Sequence, residues 1–399
     1  MKIQIITESF HGYMDDKISG KIFGGQELLL LETCKLLMDR GDQVEILQLS
    51  DKKETLVYEG IKIKKIYSPK LSFIERAGFV RRWTWAGLIF APHIDRTADW
   101  IHIHNHHFSF PIRFFVRKQI LTGMNHGVEW DLPWTYQKIN LKNLRDRFSF
   151  FMLKAVTRFS SKRLDKLITN DRFFIHFSTS HRPHLAKKFK YIPNYVDERV
   201  FDLDKVSSSD KPEICNKIYD FANGRKIILL PKMSMKERGT DLMLHVMNSI
   251  DDSVLVITGV SQQQDHYKNL VKEMKLENKV FFTDHLSYKD ELPFIFYISD
   301  IVVVPSPCRE ATAISLLEAM AMQKPVIASE IGGLVEIIWH KHNGILVEPN
   351  SENFLTAIKS ILSDHNLAQK LALNARRDVL ERFSRERWRS SMASFFSNE

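Results

Sequence analysis

The sequence predicts an α/β protein built from two domains with parallel sheets. Short aliphatic runs alternate along the chain with amphipathic stretches of helical length. In the segment 300–333, the apolar run at 301–304 predicts a buried parallel strand, a helix is predicted over 313–322, and a second strand follows at 326–328. Strand, loop, helix and strand form the βαβ unit of an open sheet, and 399 residues suffice for two such domains.

Two glutamates lie where such a sheet binds its ligands. Open α/β sheets bind ligands at the carboxyl ends of their strands, and Glu310 lies in the loop that follows the first of these strands. Glu318 lies on the helix, with seven residues between the two carboxylates. From spacing alone, a ligand site is no more favoured than a structural interpretation in which Glu310 caps a helix and Glu318 is a solvated helix residue.

The residues around the two glutamates resemble the motif of the family 4 retaining glycosyltransferases, also called glycosyl transferases group 1. The shared pattern is Pro-Ser after a strand, a Glu, a second Glu that opens Glu-Ala-Met-Ala, then Pro-Val-Ile-Ala and Gly-Gly. The matching residues are Pro305, Ser306, Glu310, Glu318, Ala319, Met320, Ala321, Pro325, Val326, Ile327, Ala328, Gly332 and Gly333. This resemblance implies the GT-B fold, in which two Rossmann-like domains face each other across a cleft. It is dense over residues 226–350 and sparser before residue 190.

The resemblance also implies a reaction and roles for the residues near the two glutamates. A sugar would pass from a nucleotide diphosphate to an acceptor hydroxyl with retention at the anomeric carbon. Glu310 would hold sugar hydroxyls, Glu318 the ribose hydroxyls, and the backbone amides of Ala311, Thr312 and Ala313 the departing phosphate. The family has a glycine after the first glutamate, and Ala311 in its place predicts a narrower sugar pocket.

A pair of cations matches the pyrophosphate clamp of the family. Lys232 stands at the arginine position of the motif and Arg238 at the lysine position, before Gly239, while Pro231 replaces a glycine. The exchange keeps the charge but alters its geometry, because arginine presents a planar fork and lysine a point charge. The alternative is that both are ordinary surface cations near a helix start.

The first domain supplies three further candidates. Gly24 and Gly25 open the first helix after the first strand, where backbone amides can approach a phosphate, although a glycine-rich turn without a ligand has the same pattern. His126 follows a strand at 120–124, and in the resembling family this histidine contacts the transferred sugar. A capped turn is the alternative for His126.

The sequence predicts no metal site and no cofactor, since the nucleotide sugar is a co-substrate. Histidines 102, 104, 106 and 107 raise the possibility of zinc, but no acidic or cysteine partner stands near them in the sequence. The three cysteines are sparse and predict reduced thiols in the cytoplasm.

Domain boundaries follow from two local patterns. Residues 192–197 resemble the family motif that ends the first domain, with Tyr195 in place of a glycine, and the serine-rich residues 202–212 predict a linker. We therefore predict domains at 1–200 and 201–382. The helix over about 383–399 is expected to pack back on the first domain, with Trp388 as an anchor.

The positive charge of the protein lies in its first half. Residues 1–200 carry 33 Lys and Arg against 21 Asp and Glu, whereas residues 201–399 carry 24 against 27. Arginines accompany tryptophans and phenylalanines in the stretches 70–90 and 145–163, which predicts contact with an anionic membrane surface. Core helices with solvated basic faces are the alternative. No run of 18 apolar residues and no signal-peptide pattern is seen, so the predicted location is cytoplasmic or peripheral on the inner face of the membrane.

The function predicted from these features is a retaining, metal-independent glycosyltransferase that uses a UDP- or GDP-sugar. The basic first half favours an acceptor in cell-surface polysaccharide or glycolipid synthesis, and a small secondary metabolite is the competing acceptor. A nucleotide-sugar epimerase of the same fold and a catalytically inactive partner subunit are alternatives. A basic nucleic-acid-binding protein is another, although nucleic acid is not expected as a partner because no recognised binding motif is present.

Overall fold

The chain divides into two compact units. The computed structural model describes residues 1–8, 10, 25–68, 79–104, 109–126, 144–180, 182–231, 235–261 and 263–397. Unit 1 contains the described residues up to Pro193 together with those from Arg389 onward. Unit 2 runs from Asn194 to Trp388. Each unit contains one sheet, and both sheets are flanked by helices.

The sheet of unit 1 is parallel except at one edge. Its strand order is β3-β4-β2-β1-β5-β6-β7-β8, and β3 pairs antiparallel with β4. The strands are β1 (Lys2–Thr7), β2 (Gln43–Ser50), β3 (Glu54–Tyr58), β4 (Ile61–Tyr67), β5 (Trp100–Ile103), β6 (Ile120–Asn125), β7 (Lys166–Thr169) and β8 (Phe189–Tyr191). The central strands β1 and β5 are buried on both faces, as the aliphatic runs in the sequence require.

The sheet of unit 2 is parallel throughout its described strands. Its order is β11-β10-β9-β12-β13-β14, so β12 lies between β9 and β13. The strands are β9 (Lys226–Leu230), β10 (Ser253–Ile257), β11 (Val280–Phe282), β12 (Ile301–Val304), β13 (Val326–Ser329) and β14 (Ile345–Val347).

The helices connect these strands. Those of unit 1 are α1 (Gly25–Asp39), α2 (Phe79–Phe90), α3 (Ser109–Ile112), α4 (Leu144–Arg163) and α5 (Arg172–Thr179). Those that follow are α6 (Leu203–Ser208), α7 (Glu213–Ala222), α8 (Thr240–Met247), α9 (Gln264–Glu273), α10 (Leu292–Ile298), α11 (Ile314–Ala321), α12 (Leu334–Ile337), α13 (Ser351–Ser363), α14 (His365–Phe383) and α15 (Arg385–Phe395). These two parallel-sheet units confirm the predicted α/β class. No described helix has the length and apolar character needed to cross a bilayer.

Strand β12 is the centre of unit 2 because both of its faces are covered. Val302 and Val304 belong to one hydrophobic cluster, with α11, while Ile301 and Val303 belong to another, with α8 and α13. Side chains alternate between the two faces of a strand, so a continuous run of four β-branched residues supplies both cores.

The prediction of a linker at residues 202–212 is wrong for residues 203–208, which form α6. Asp202 caps α6, since its carboxylate accepts hydrogen bonds from the backbone amides of Asp204 and Lys205. Val206 is buried in the core of unit 2. Leu203, which is partly buried, packs against the same core. Two apolar side chains and an N-cap anchor this short helix, although its serines gave it the composition of a loop.

The end of the chain returns to unit 1. Phe396 is fully buried there, and its ring centroid lies 5.4 Å from that of Trp100. Arg389 forms ion pairs with Glu32 and with Asp39, the latter at 2.6 Å. Trp388, which the sequence suggested as the anchor, instead packs on Tyr195 within unit 2, with 4.8 Å between ring centroids. The aromatic anchor in unit 1 is therefore Phe396.

Replacing Phe396 with alanine is expected to destabilise unit 1 by about 3–5 kcal/mol, because it empties a fully buried aromatic site. Denaturant-induced unfolding measures the change. Phe151→Ala is the matched control, since this phenylalanine is 66% exposed and its removal should cost no more than about 0.5 kcal/mol. Equal effects of the two substitutions would contradict the placement of the C-terminal segment.

Candidate functional site

Glu310 is held in a fixed position at the carboxyl end of β12. It lies in the loop between β12 and α11, where Ser306 donates a hydrogen bond from its hydroxyl to Glu310 Oε1. Ser306 is fully buried, and the side chain of Glu310 is 9% exposed. A buried hydroxyl that donates to a carboxylate fixes its rotamer. The polar group is thus oriented before any ligand arrives.

Arg238 lies beside this carboxylate. Its Nη1 is 3.1 Å from Glu310 Oε1, and it comes from the 3-10 turn Lys236–Arg238 that follows β9. Because β9 and β12 are parallel neighbours, their carboxyl ends meet at one edge of the sheet. The structure therefore brings together two residues that the sequence separates by more than 70 positions. The side chain of Arg238 remains 39% exposed.

A close backbone approach holds the arginine turn against the glutamate loop. Gly239 has a φ of +78°, and a Cβ built there would lie 2.0 Å from the carbonyl oxygen of Pro305. Cys308 adds a contact from its Sγ to the carbonyl oxygen of Glu237 at 3.4 Å. No side chain fits between Gly239 and the loop, which explains why glycine must follow the cation.

Two glycines fix the other side of the same loop. The amide of Gly333 donates to the carbonyl of Glu310 at 2.6 Å. A Cβ on Gly332 would lie 2.4 Å from that carbonyl oxygen, and one on Gly333 would lie 2.6 Å from the carbonyl carbon of Ala311. The Gly-Gly pair of the sequence motif thus packs directly on the backbone of the candidate catalytic residue.

Residues 311–313 lead into the start of α11. Ala313 is the N-cap residue and supplies no side-chain hydrogen bond to the helix. The carbonyl of Thr312 accepts a hydrogen bond from Asn194 Nδ2 at 2.7 Å, which orients this stretch. A helix N-terminus without a side-chain cap presents amides and the positive end of the helix dipole, so this edge can hold an anion.

Glu318 lies on α11 and has a partner that the sequence did not reveal. The carboxylate is buried, and the Tyr288 hydroxyl forms a hydrogen bond with it. Desolvation, together with the negative charge of Glu318, raises the pKa of Tyr288 well above its ordinary value. The phenol therefore stays protonated and donates. No spacing rule connects residues 288 and 318, since a loop and a helix bring them together.

His126 occupies the end of β6 in unit 1. Its Nε2 is 3.1 Å from the carbonyl oxygen of His104, and the two rings are 4.5 Å apart between centroids. Desolvation lowers the pKa of His126 to about 4 and that of His102 to about 3. His126 is then neutral near pH 7, with Nε2–H donating to the carbonyl. The ring of His104 forms a hydrogen bond with the backbone of Gln26, next to Gly25 at the start of α1.

Residues 213–378 match the model of the family described as glycosyl transferases group 1. The match includes Arg238, Glu310 and Glu318 with the contacts given above. This match covers 166 of the 399 residues, all of them within unit 2.

Known proteins similar to this chain include one curated relative and two solved structures. The uncharacterized glycosyltransferase MJ1607 of Methanocaldococcus jannaschii is 31% identical over 201 residues, which are 49% of this chain and 50% of that protein. The sucrose-phosphate synthase structure from Thermosynechococcus elongatus has a TM-score of 0.75 at 18% identity and covers 99% of this chain and 98% of its own. Anabaena HepE in complex with UDP-glucose has a TM-score of 0.72 at 16% identity, with both chains fully covered.

These comparisons confirm the GT-B fold expected from the sequence. The sequence matches are shorter than the structural ones. The chain spans about half the length of the curated relatives it matches.

Some sequence-predicted residues of the candidate site fall outside the described part of the chain. Gly24 and Lys232 are among them, as are His106 and His107 of the histidine cluster. Gly25 is described and is the first residue of α1. Within the described ranges, no three side chains of His, Cys, Asp or Glu are grouped closely enough to hold a metal ion.

Substitution of Gly239 by alanine should destabilise the arginine turn. The control is Gly224→Ala, because Gly224 has a similar φ of +80° but a Cβ added there would meet nothing within 4 Å. Both variants carry the left-handed backbone cost of about 1–2 kcal/mol, and Gly239→Ala should cost about 1–3 kcal/mol more from its collision with Pro305. Chemical denaturation measures the difference. Equal free energies of unfolding would contradict the close approach.

The histidines of unit 1 should make stability pH-dependent. A histidine whose folded pKa lies below its ordinary value of 6.5 binds fewer protons than in the unfolded chain. The free energy of unfolding should therefore fall as the pH drops from about 6.5 toward 4, by up to about 1.4 kcal/mol per pH unit for each such histidine. Denaturation at several pH values should show a shallower slope for His126→Gln. The exposed-site control His365→Gln should keep the wild-type slope. A wild-type slope in His126→Gln would refute the assignment.

Proposed function

We propose that this protein is a retaining glycosyltransferase that moves a sugar from a nucleotide diphosphate to an acceptor hydroxyl. The observation that supports this most directly is the Arg238–Glu310 ion pair at the carboxyl edge of the unit 2 sheet, beside the N-terminus of α11. A cation and a helix N-terminus suit a diphosphate, and an adjacent carboxylate suits the sugar joined to it.

Departure of the nucleotide develops negative charge on the β-phosphate. Arg238 can stabilise that charge with a fork of N–H donors, and the amides at the start of α11 add the field of the helix dipole. Lys232, which precedes this turn in the sequence, is proposed as the second cation of the clamp. With these groups opposite the phosphates, we propose that the reaction proceeds without a metal.

Glu310 is proposed to act on the sugar. In the structure its carboxylate accepts from Ser306 and pairs with Arg238. When a diphosphate draws the arginine toward itself, Ser306 keeps the carboxylate in place, where it can hold sugar hydroxyls and offset the positive charge that grows at the anomeric carbon. Glu318, oriented by the Tyr288 hydroxyl, is proposed to accept hydrogen bonds from the ribose.

Retention follows if the acceptor attacks from the face that the nucleotide leaves, with a phosphate oxygen taking the acceptor proton. This course rests on the resemblance to the family 4 enzymes. In unit 1, His126 is proposed to contact the transferred sugar. A neutral imidazole suits this role because it binds a hydroxyl without adding a charge that would oppose a positively charged transition state.

The donor and acceptor classes are also proposals. A UDP- or GDP-sugar is the proposed donor, and the complex of HepE with UDP-glucose supports a uridine nucleotide. A cell-surface polysaccharide or glycolipid is the proposed acceptor, which the basic residues of the first 200 positions favour, since such glycans and lipids often carry negative charge.

A thermal-shift titration with UDP, GDP, their sugar conjugates and ADP, with and without EDTA, tests the donor site. A ligand at 100 times its Kd adds about 2.7 kcal/mol to stability, and the shift should persist in EDTA. Arg238→Ala should lose most of the shift, while Arg387→Ala, an exposed arginine on α15, should retain it. Absence of a shift with every nucleotide would refute the proposed donor site.

The role of Glu310 is tested by turnover of the donor that binds. Glu310→Gln should lower the rate by about 100- to 1,000-fold while leaving nucleotide binding intact, because the substitution removes a charge needed in the transition state. Glu330→Gln, at an exposed site after β13, is the control. A full rate in Glu310→Gln would exclude its catalytic role, and release of an epimerised free sugar without an acceptor would assign an epimerase instead.

A further inference from the structure

Three neighbouring helices of unit 1 present apolar side chains to solvent. Helix α2 packs against α3 and α4, and α3 packs against α4. Their inward residues, such as Phe90 and Ile112, belong to the core of the unit. The exposed residues on these helices and on the turn after α3 are Trp85, Leu88, Phe114, Phe115, Phe151 and Phe159. These six side chains are therefore not buried in the core of unit 1.

The pattern on α4 is periodic. Phe151, Ala155 and Phe159 recur every four residues, so they form one stripe along the helix that continues to Arg163. Phe151 is 66% exposed. A helix on the surface of a globular protein normally places its apolar stripe against the core and charged residues outside, and α4 places phenylalanines outside.

Cations accompany these rings. The guanidinium of Arg163 lies 4.7 Å from the ring centroid of Phe159 and 5.4 Å from that of Phe114, so it joins α4 to the turn after α3. Arg117, Lys118 and Lys162 are exposed around it. Segments 79–90, 109–118 and 144–163 together contain eleven Lys and Arg and a single acidic residue, Asp146. We call the exposed aromatic and basic residues of these segments the basic aromatic face.

We propose that the basic aromatic face docks on a lipid bilayer whose headgroups are anionic. The phenyl and indole rings would enter the boundary between headgroups and acyl chains, and the lysines and arginines would lie at the level of the phosphates. Phe114 and Phe115 are followed by Arg117 and Lys118, so the aromatic rings and the cations come from five consecutive residues.

Charge and chemistry favour a bilayer over other occupants. A second copy of this chain would bring cations against cations, which opposes association. A nucleic acid would bind by stacking its bases on flat aromatic rings. Leu88 and Ala155 are aliphatic and offer no surface for stacking. Aliphatic and phenyl side chains together suit hydrocarbon. The inference concerns unit 1 and stands independently of the donor chemistry proposed for unit 2.

Flotation of the full chain with phosphatidylcholine vesicles, with and without about 30% phosphatidylglycerol, tests the proposal. Binding should require the anionic lipid and weaken as salt is raised, because screening shortens the reach of the charges. Phe114→Ser/Phe115→Ser should lower the partition coefficient at least about tenfold, since two apolar anchors are lost. Arg117→Glu/Lys118→Glu should lower it by about fivefold or more for each reversed charge.

Matched variants in unit 2 serve as controls. Trp339→Ser removes a comparably exposed aromatic ring, 52% against 55% for Phe114, and Lys205→Glu/Lys272→Glu reverses two exposed charges. Both controls should float like the wild type. Nucleotide thermal shifts of all variants should also match the wild type, so loss of lipid binding is distinguished from failure of the donor site.

Two results would overturn the proposal. In one, the wild type does not float with anionic vesicles. In the other, the face variants and the controls float equally. If the face variants instead lost salt-dependent binding of a single-stranded oligonucleotide while the wild type ignored vesicles, the face would be assigned to nucleic acid.

Discussion

The contact between Gly239 and the carbonyl of Pro305 determines the geometry of the unit 2 site. Parallel pairing of β9 with β12 brings two loops to one edge, but pairing alone leaves their side chains several ångströms apart. Backbone contact at Gly239 closes that gap, so Arg238 reaches Glu310 and Cys308 reaches the carbonyl of Glu237. Gly332 and Gly333, which follow β13, pack against the same loop. The carboxylate is thus positioned by backbone packing on both sides, which a larger side chain at any of the three glycines would displace.

Much of the geometry of the unit 2 site could be predicted from the sequence, because the strand, the loop and the helix that build it follow local sequence patterns. The apolar run of β12, the prolines after it and the helix that follows are contiguous, and periodicity identifies such elements well. The resemblance at Glu310, Glu318 and the glycines rests on contiguous residues too. The features that the sequence did not reveal depend on contacts between residues that are distant in the sequence or on a few individual contacts. Tyr288 forms a hydrogen bond with Glu318 through tertiary packing, and Phe396 rather than Trp388 anchors the C-terminal segment in unit 1. Two apolar side chains, Leu203 and Val206, make a helix of a serine-rich segment that the sequence predicted as a linker.

The two units use opposite electrostatic means at their candidate residues. In unit 2, a partly exposed arginine and a helix N-terminus without a side-chain cap provide positive potential where a diphosphate is proposed to bind. In unit 1, desolvation keeps the histidines at the strand ends uncharged, so His126 offers a neutral donor-acceptor group. A cationic imidazole would repel a sugar carbon that gains positive charge as its phosphate departs. In each unit, the degree of burial thus suits the role proposed for that unit's own residues.

The departures from the family motif bear on the alternative of an inactive subunit. Glycine is favoured where φ is positive, and neither Tyr195 nor Ala311 is among the described residues other than glycine with positive φ. Each thus replaces a glycine without backbone strain. Tyr195 also gains a ring contact with Trp388, 4.8 Å between centroids, which ties the start of unit 2 to its last helix. Pro231 follows the last residue of β9, where a missing amide removes no bond within the strand. The Arg238–Glu310 pair forms despite these replacements, so the charged elements of the candidate site stay in place. This agrees better with the proposed transferase than with the alternative of an inactive subunit.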